Sequence, residues 1–454
     1  MHCNSQYSGE VNTLSVENTH LTISRQLQDG AHPGALLDLI EELEIEDKVD
    51  LMQRLSEAEA AMIFQEMEDF EQAEILRLLE NERAKAILKN MASDDAADLI
   101  GELSAEEAEE VLQLISEEAE AVDFGDLLKY PEESAGGIMT TEFISLPADI
   151  PVEEAISRLR EIAPEAETIY YVYVVNEIGH LIGVLSLRDL IASSDGTILK
   201  DIMRHNIISV NALMDQEEVA RIVSKYDLLA VPVVDDDGQL LGIITVDDVI
   251  DVMEQEATED IYRLAGASEV VGMELTEAPV SKVVRLRLPW LLISMVGGFL
   301  SGSVIGGFES TLEAIVMLAV FIPVIMDMGG NVGTQSSTIF VRGLATGEID
   351  GAEVWPYFYR EIRIGLALGV ICGVMISIVA YFWQSNIYLG FVVGVSMLAT
   401  ISVAALIGTL VPLLCSKLNI DPAITAGPFV TTIKDVTGLL IYFAVATSFI
   451  EYIR

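Results

Sequence analysis

Five apolar runs follow residue 281 of this 454-residue chain, and they constrain its fold more than any other feature. They are Leu288–Phe308, Ala314–Val341, Ile364–Trp383, Ile387–Cys415 and Pro422–Ile450. Each reaches the ~20 residues that a helix needs to cross a bilayer. Hydrocarbon offers no partner to a backbone amide, so runs of this length must be helices. Residues 282–454 are therefore expected to form an all-α five-helix transmembrane domain. The second run contains Pro323, Gly329, Gly330 and Gly333, and the fifth contains Pro422, Gly427, Pro428 and Gly438. Bent or interrupted helices are expected there, their freed backbone groups facing protein or a wet cavity.

Basic residues orient the runs. Lys282, Arg285 and Arg287 precede the first, Arg342, Arg360 and Arg363 lie between the second and third, and Lys417 follows the fourth. All fall on one side, which predicts a multi-pass protein of the plasma or inner membrane with its N-terminus cytosolic and its C-terminus outside, in contact with lipid. The first 280 residues hold 62 of the 72 acidic side chains and only 16 of the 25 basic ones. Such a surface repels nucleic acid and attracts small cations. A merely solvated acidic face accounts for the charge equally well.

Within the cytosolic half, residues 1–33 are polar without periodicity and read as a disordered tail. Residues 34–130 read as short amphipathic helices in an all-α superhelical N domain. LSEAEAAMIFQEM and LSAEEAEEVLQLI look like one unit used twice, each with a serine followed three residues later by an acid. A second repeat pairs YVYVVNEIGHLIGVLSLRDLI (171–191) with AVPVVDDDGQLLGIITVDDVI (230–250), and Gly179, Gly183 and Asp189 match Gly238, Gly242 and Asp248. Each copy alternates helical and β-branched runs around a glycine turn, as an α/β unit does. The pair, 131–195 and 196–250, resembles tandem CBS domains. That resemblance implies a regulatory module, often one that senses ATP or another adenine nucleotide, with Tyr170, Asp189 and Pro232 as its contacts. Packing alone would explain the same three residues.

VDDVIDVMEQEATED follows, opening an acidic connecting helix and linker over 251–281. At 100° per residue, Asp248, Asp251, Glu256, Glu259 and Asp260 fall within about half the circumference. No lysine or arginine is interleaved, so the five repel one another. Asp94 and Asp98 lie at i,i+4 in SDDAADL, Asp215 and Glu217 in DQEEV, and Asp227 in KYDL. A hard divalent cation can bridge such groups through carboxylate oxygens and retained water.

Within the fifth run, GPFVTTIKDVTGLLIYF carries Lys434 and Asp435. A charge at the bilayer centre costs roughly 2.5–3.5 kcal/mol on insertion scales, so a function is expected of it. On a helix, Pro428, Thr431, Asp435, Gly438 and Tyr442 form a polar stripe and Phe429, Ile433, Val436, Leu440 and Phe443 an apolar one. Asp421 stands at the cytosolic end of the same run. The second run supplies Asp327, Asn331, Thr334, Gln335, Ser336 and Ser337, which suit a wet passage. All five histidines lie before residue 281, so the donors are oxygens, and oxygens favour Mg²⁺, Ca²⁺ or Mn²⁺. The absence of H-E-x-x-H and of any histidine in the runs argues against an intramembrane enzyme.

GGNVGTQSST, DPAITAGPFV and DVTGLLIYF, with the domain order around them, resemble the MgtE family of magnesium transporters over nearly the whole chain after residue 33. The resemblance implies a homodimeric, Mg²⁺-selective channel with Asp435 from each copy holding a hydrated ion and Asp421 a second station. It further implies cytosolic Mg²⁺ sensing by Asp94, Asp98, Asp215, Glu217, Asp227, Asp248, Asp251, Glu256, Glu259 and Asp260, with the connecting helix as plug. Ions bridging these groups would close the pore. A transporter of Co²⁺ or Mn²⁺, or a Mg²⁺ sensor that transports nothing, remains open on the residues alone.

Overall fold

The computed structural model describes residues 16–40, 43–67, 69–101, 103, 107–108, 111, 127–163, 166–267, 278–349, 354–418, 420–423 and 427–453. The protein is multidomain, and it divides into two compact units within one helix, between Met253 and Glu254.

The first unit opens with helices α1 (Val16–Gln28), α2 (Ile45–Arg54), α3 (Glu57–Phe64), α4 (Asp69–Leu78), α5 (Asn81–Leu88) and α6 (Ser93–Gly101). Their shared core is made of short apolar stripes, including Leu51, Phe64, Ile75, Ile87 and Leu99. Helix α3 starts at the serine that the repeat singled out. Ser56 Oγ accepts from the Glu59 amide at 3.3 Å, and the Glu59 carboxylate accepts from the Ser56 amide at 3.1 Å. This capping box satisfies two amides that the first turn leaves without helical partners. The second copy, from Ser104, lies largely outside the described residues. Helix α1 corrects the expectation of a disordered tail over 1–33. Ile23, fully buried, and Leu27 one turn on give the segment an apolar edge that its polar average conceals. Residues 1–15 lie outside the described residues.

Two three-stranded sheets follow. Strands β1 (Ser145–Pro147), β2 (Tyr171–Val175) and β3 (Leu181–Ser186) carry α7 (Val152–Ile162), α8 (Leu187–Ala192) and α9 (Leu199–Ile202). Strands β4 (Val210–Asn211), β5 (Ala230–Val234) and β6 (Leu240–Thr245) carry α10 (Gln216–Tyr226). In each sheet the first strand pairs parallel with the second, and the second pairs antiparallel with the third. The repeat extends to detail. Gly179 and Gly238 take φ of +82° and +84° in the hairpin turns, a region that favours glycine. The turns also bond to each other: the Leu181 amide donates to the Gly238 carbonyl and the Leu240 amide to that of Gly179, both at 3.1 Å.

Helix α11 (Val246–Leu264) crosses the division between the units. The second unit continues with α12 (Val280–Gly307), α13 (Glu309–Ala314), a 3₁₀ stretch Val316–Phe321, α14 (Ile322–Ala345), α15 (Val354–Gln384), α16 (Ile387–Lys417), α17 (Pro428–Ser448) and α18 (Ile450–Ile453). Among the described residues, five helices are long and apolar enough to cross a membrane: α12, α14 with its preceding 3₁₀ stretch, α15, α16 and α17. Helices α12 and α15 start at Val280 and Val354, ahead of the apolar runs at Leu288 and Ile364, because the segments holding Lys282, Arg285 and Arg287, and Arg360, Glu361 and Arg363, are already helical. The second run is interrupted as expected at Pro323, where the 3₁₀ stretch gives way to α14, but not at Gly329, Gly330 and Gly333, through which α14 runs unbroken. Its glycines instead permit close approach. A Cβ on Gly408 of α16 would lie 2.4 Å from the Gly333 carbonyl oxygen. Small residues draw spans together in this way where hydrophobic driving force is absent.

Candidate functional site

The membrane locus lies where α14, α16 and α17 pack. Lys434, only 3% exposed, reaches across from α17 to α14. Its Nζ donates to the Gly330 carbonyl at 2.6 Å and to Thr334 Oγ1 at 2.8 Å. Both acceptors are neutral oxygens. Asp435, the eighth of the 21 residues of α17, is half-buried. Among the described residues no hydrogen bond or ion pair reaches its carboxylate. Adjacent opposite charges thus have unlike fates: the lysine is held by two acceptors, and among the described residues the aspartate has no partner.

The expected polar stripe of α17 holds only in part. Thr431 is exposed and Asp435 half-buried, but Tyr442 is sealed inside, its hydroxyl donating to the Leu318 carbonyl at 2.7 Å. That carbonyl belongs to the 3₁₀ stretch before α14. Phe443, expected on the apolar face, stacks on Phe308 with centroids 5.0 Å apart, while Phe429, Ile433 and Leu440 are exposed. In α14, Asp327 is exposed and accepts from Asn331 at 3.2 Å. Glu361 of α15 escaped the sequence reading. It is 6% exposed and accepts a hydrogen bond from Ser336 Oγ of α14 at 2.5 Å. In sequence it sits between Arg360 and Arg363 and passes for an interfacial charge.

At the start of the fifth run, Asp421 accepts from the Ala423 amide at 2.7 Å and pairs with Arg263 in the last turn of α11. Arg263 also pairs with Glu259. Asp260, beside them, is pushed up to about 6 by burial and then by the charges of Asp421 and Glu256. The structure thereby gathers Glu256, Glu259, Asp260 and Asp421, with Arg263 paired to Glu259 and Asp421 and the charge of Arg342 also acting on Asp260.

In the first unit, Asp94 of α6 meets Asp248 of α11. Asp94 is 8% exposed and its Oδ1 is buried without a hydrogen-bond partner. Burial pushes its carboxyl well above the usual range, and the charges of Asp95, Asp248 and Glu167 push it further. Burial raises Glu167 too, followed by Asp248, Glu142 and Asp247. Asp248 is raised by burial although Thr245 hydrogen-bonds to it, and Asp251 is among the charges acting on it. Glu167, on the loop before β2, carried no signal in the sequence beyond being acidic. Asp98 lies on the exposed side of α6.

Other expected residues have local structural work. Asp215 caps the start of α10, accepting from the Glu217 amide at 3.0 Å, and Asp227 ends that helix with φ of 52°. Asp189 closes a capping box with Ser186, whose hydroxyl holds its carboxyl below the usual range. Asp248 accepts from the Thr245 amide at 3.1 Å in the matching position of the second repeat. Tyr170 is 61% exposed, and Pro232 is buried in β5. Among the described residues, no three of His, Cys, Asp and Glu stand close enough to hold an ion by themselves. What the acidic sites offer is pairs of crowded carboxylates, whose repulsion a divalent cation with retained water would relieve.

The profile of the MgtE divalent cation transporter family matches residues 322–445, and that of the MgtE intracellular N domain matches 31–133. The CBS domain profile matches 135–196 and 199–255. The magnesium transporter MgtE of Enterococcus faecalis is 46% identical over 333 residues, 73% of this chain and 73% of that protein. That of Bacillus subtilis is 42% identical over 336 residues, 74% of this chain and 73% of that protein. A crystal structure of the cytosolic domain of the Mg²⁺ channel MgtE in complex with ATP is 38% identical, with a TM-score of 0.47, covering 51% of this chain and 99% of that one. On the span and identity of these matches, the chain belongs to the MgtE family, whose members are transporters of divalent cations and not enzymes.

Proposed function

We propose that this protein is a homodimeric Mg²⁺ channel that admits the ion to the cytosol and closes when cytosolic Mg²⁺ is plentiful. The observation that carries the reading is Asp435: a half-buried carboxylate inside a membrane helix, without a partner among the described residues. Two copies of it on a symmetry axis would hold Mg²⁺ through its water shell, which that ion surrenders reluctantly. Asp421 serves as a second station nearer the cytosol. Its pairing with Arg263 fits a closed form in which the connecting helix engages that end of the pathway. In this orientation the acidic half is cytosolic and the C-terminus lies outside. The paired CBS domains take ATP or another adenine nucleotide near Tyr170, Asp189 and Pro232.

Closure follows from charge. At low Mg²⁺ the crowded carboxylates around Asp94, Asp248 and Asp260 repel. At high Mg²⁺, ions bridging them and the more exposed Asp98, Asp215, Glu217, Asp227 and Asp251 favour the closed arrangement. Asp435→Asn in proteoliposomes tests the pathway: Mg²⁺ uptake is expected to fall roughly tenfold or more, a loss of at least about 1.4 kcal/mol of attraction. Unchanged uptake removes Asp435 from the pathway. Oxygen donors discriminate among hard ions through cavity shape, so competition by Co²⁺ and Mn²⁺ against Mg²⁺ flux in the same liposomes decides between Mg²⁺ and another divalent cargo.

A further inference from the structure

Lys434 occupies a built socket. Gly330 supplies a carbonyl and Thr334, one turn on, a hydroxyl, at 2.6 and 2.8 Å from the ammonium. Between them Gly333 leaves room for the stem: a Cβ there would lie 2.8 Å from Lys434 Cδ. Three members of the G-G-N-V-G-T segment of α14 are therefore explained by a side chain of α17. Neither acceptor is an anion, so the socket holds the ammonium without neutralising it. Its charge acts on Asp435, the next residue, although no ion pair joins them.

We propose that Lys434 is a positioning and field-setting residue, whose fixed positive charge weakens the hold of Asp435 on a divalent cation so that the ion leaves quickly. The inference rests on the reading of Asp435 as the pathway carboxylate. Conduction needs binding strong enough to admit an ion and weak enough to release it. A lone carboxylate in a low-dielectric surround, doubled in a dimer, errs towards holding too tightly. A tethered ammonium opposes a divalent ion twice as strongly as a monovalent one, and it does so without occupying the site.

The test is Mg²⁺ uptake by the full-length protein in proteoliposomes, with KM and maximal rate resolved. Lys434→Met keeps the stem and removes the charge. KM and maximal uptake are both expected to fall, KM by roughly 3- to 30-fold for one charge at an effective dielectric between that of protein and water. Lys434→Gln, which keeps a donor for the Gly330 carbonyl, carries the same expectation. Neutral variants with wild-type KM and maximal rate overturn the proposal. So does failure of both neutral variants to fold while Lys434→Arg folds and transports normally, because the charge would then be only an anchor. Asp435→Asn separates the two readings: if it leaves uptake unchanged the pathway itself falls, whereas loss of uptake there with wild-type kinetics in Lys434→Met removes only this inference.

Discussion

A carboxylate buried beside other carboxylates costs the folded protein free energy, and Asp94 is such a group, with one oxygen unpartnered and like charges around it. Asp94→Asn keeps the shape and removes the charge. It is expected to raise the melting temperature in chelator by about 2 °C or more, and to diminish the further rise that Mg²⁺ gives the wild type. The sign with pH follows from linkage. The folded carboxyl sits above its unfolded value, so its cost is absent below the ordinary carboxylate range and grows as pH rises through the raised value. The gap between wild type and variant should therefore close on acidification; a variant that melts lower at neutral pH would show that Asp94 has a stabilising partner. Residues of this kind were unevenly legible. Asp435 and Lys434 stood out because a charge in an apolar run is rare. Glu361 and Glu167 did not, because Glu361 lies among interfacial arginines and Glu167 in an acidic loop, and burial there arises from segments distant in sequence. The destination of Lys434 was invisible for the same reason: its acceptors are about a hundred residues away.

At the scale of elements, the spans were countable because bilayer thickness fixes their length. Their ends were not, because α12 and α15 remain helical beyond the hydrocarbon-length core. Capping also read through: serine with an acid three residues on marks the start of α3, whereas the like pair that opens α8 was found only in the structure. The glycines of α14 were misread as breaks, since a glycine that frees a carbonyl and one that admits a neighbouring helix look alike in sequence. The distinction is measurable. A methyl on Gly408 meets backbone, the Gly333 carbonyl oxygen at 2.4 Å, whereas one on Gly333 first meets a side chain, the Lys434 stem at 2.8 Å, with the Ala404 carbonyl oxygen at 3.3 Å. Gly408→Ala is expected to cost about 1–3 kcal/mol by overpacking, and Gly333→Ala less. Thermal denaturation of the detergent-solubilised variants checks the order; equal losses would mean that helices α14 and α16 yield as readily as a side chain.

For the whole molecule, one helix carries both proposed sensing carboxylates and the arginine that pairs with Asp421. The start of α11 buries Val249 and Val252 in the core of the first unit, and in the second unit Leu264 packs with Val341 and Ala423. Along its length run Asp248, Asp251, Glu256 and Glu259, and its last turn supplies the Arg263 that pairs with Asp421. Moving a two-state gate from 1:99 to 99:1 takes about 5.5 kcal/mol of differential binding. Pairs of carboxylates bind Mg²⁺ weakly, so in the proposed gate the sum comes from several sites that each prefer the closed form. Replacing Asp248, Asp251, Glu256 and Glu259 by their amides removes much of both the repulsion and the ion affinity. In the proposed gate, the remaining carboxylates still repel at low Mg²⁺, while the bridging that favours closure is lost. The variant should therefore keep conducting at cytosolic Mg²⁺ concentrations that shut the wild type, with Mg²⁺ uptake at low concentration within about twofold of normal, a difference of about 0.4 kcal/mol. Patch recordings or liposome flux with Mg²⁺ varied on the cytosolic face alone measure this directly. Closure at the wild-type concentration would place the sensor elsewhere, whereas a channel silent at every concentration would mean that these carboxylates hold the open form rather than the closed one.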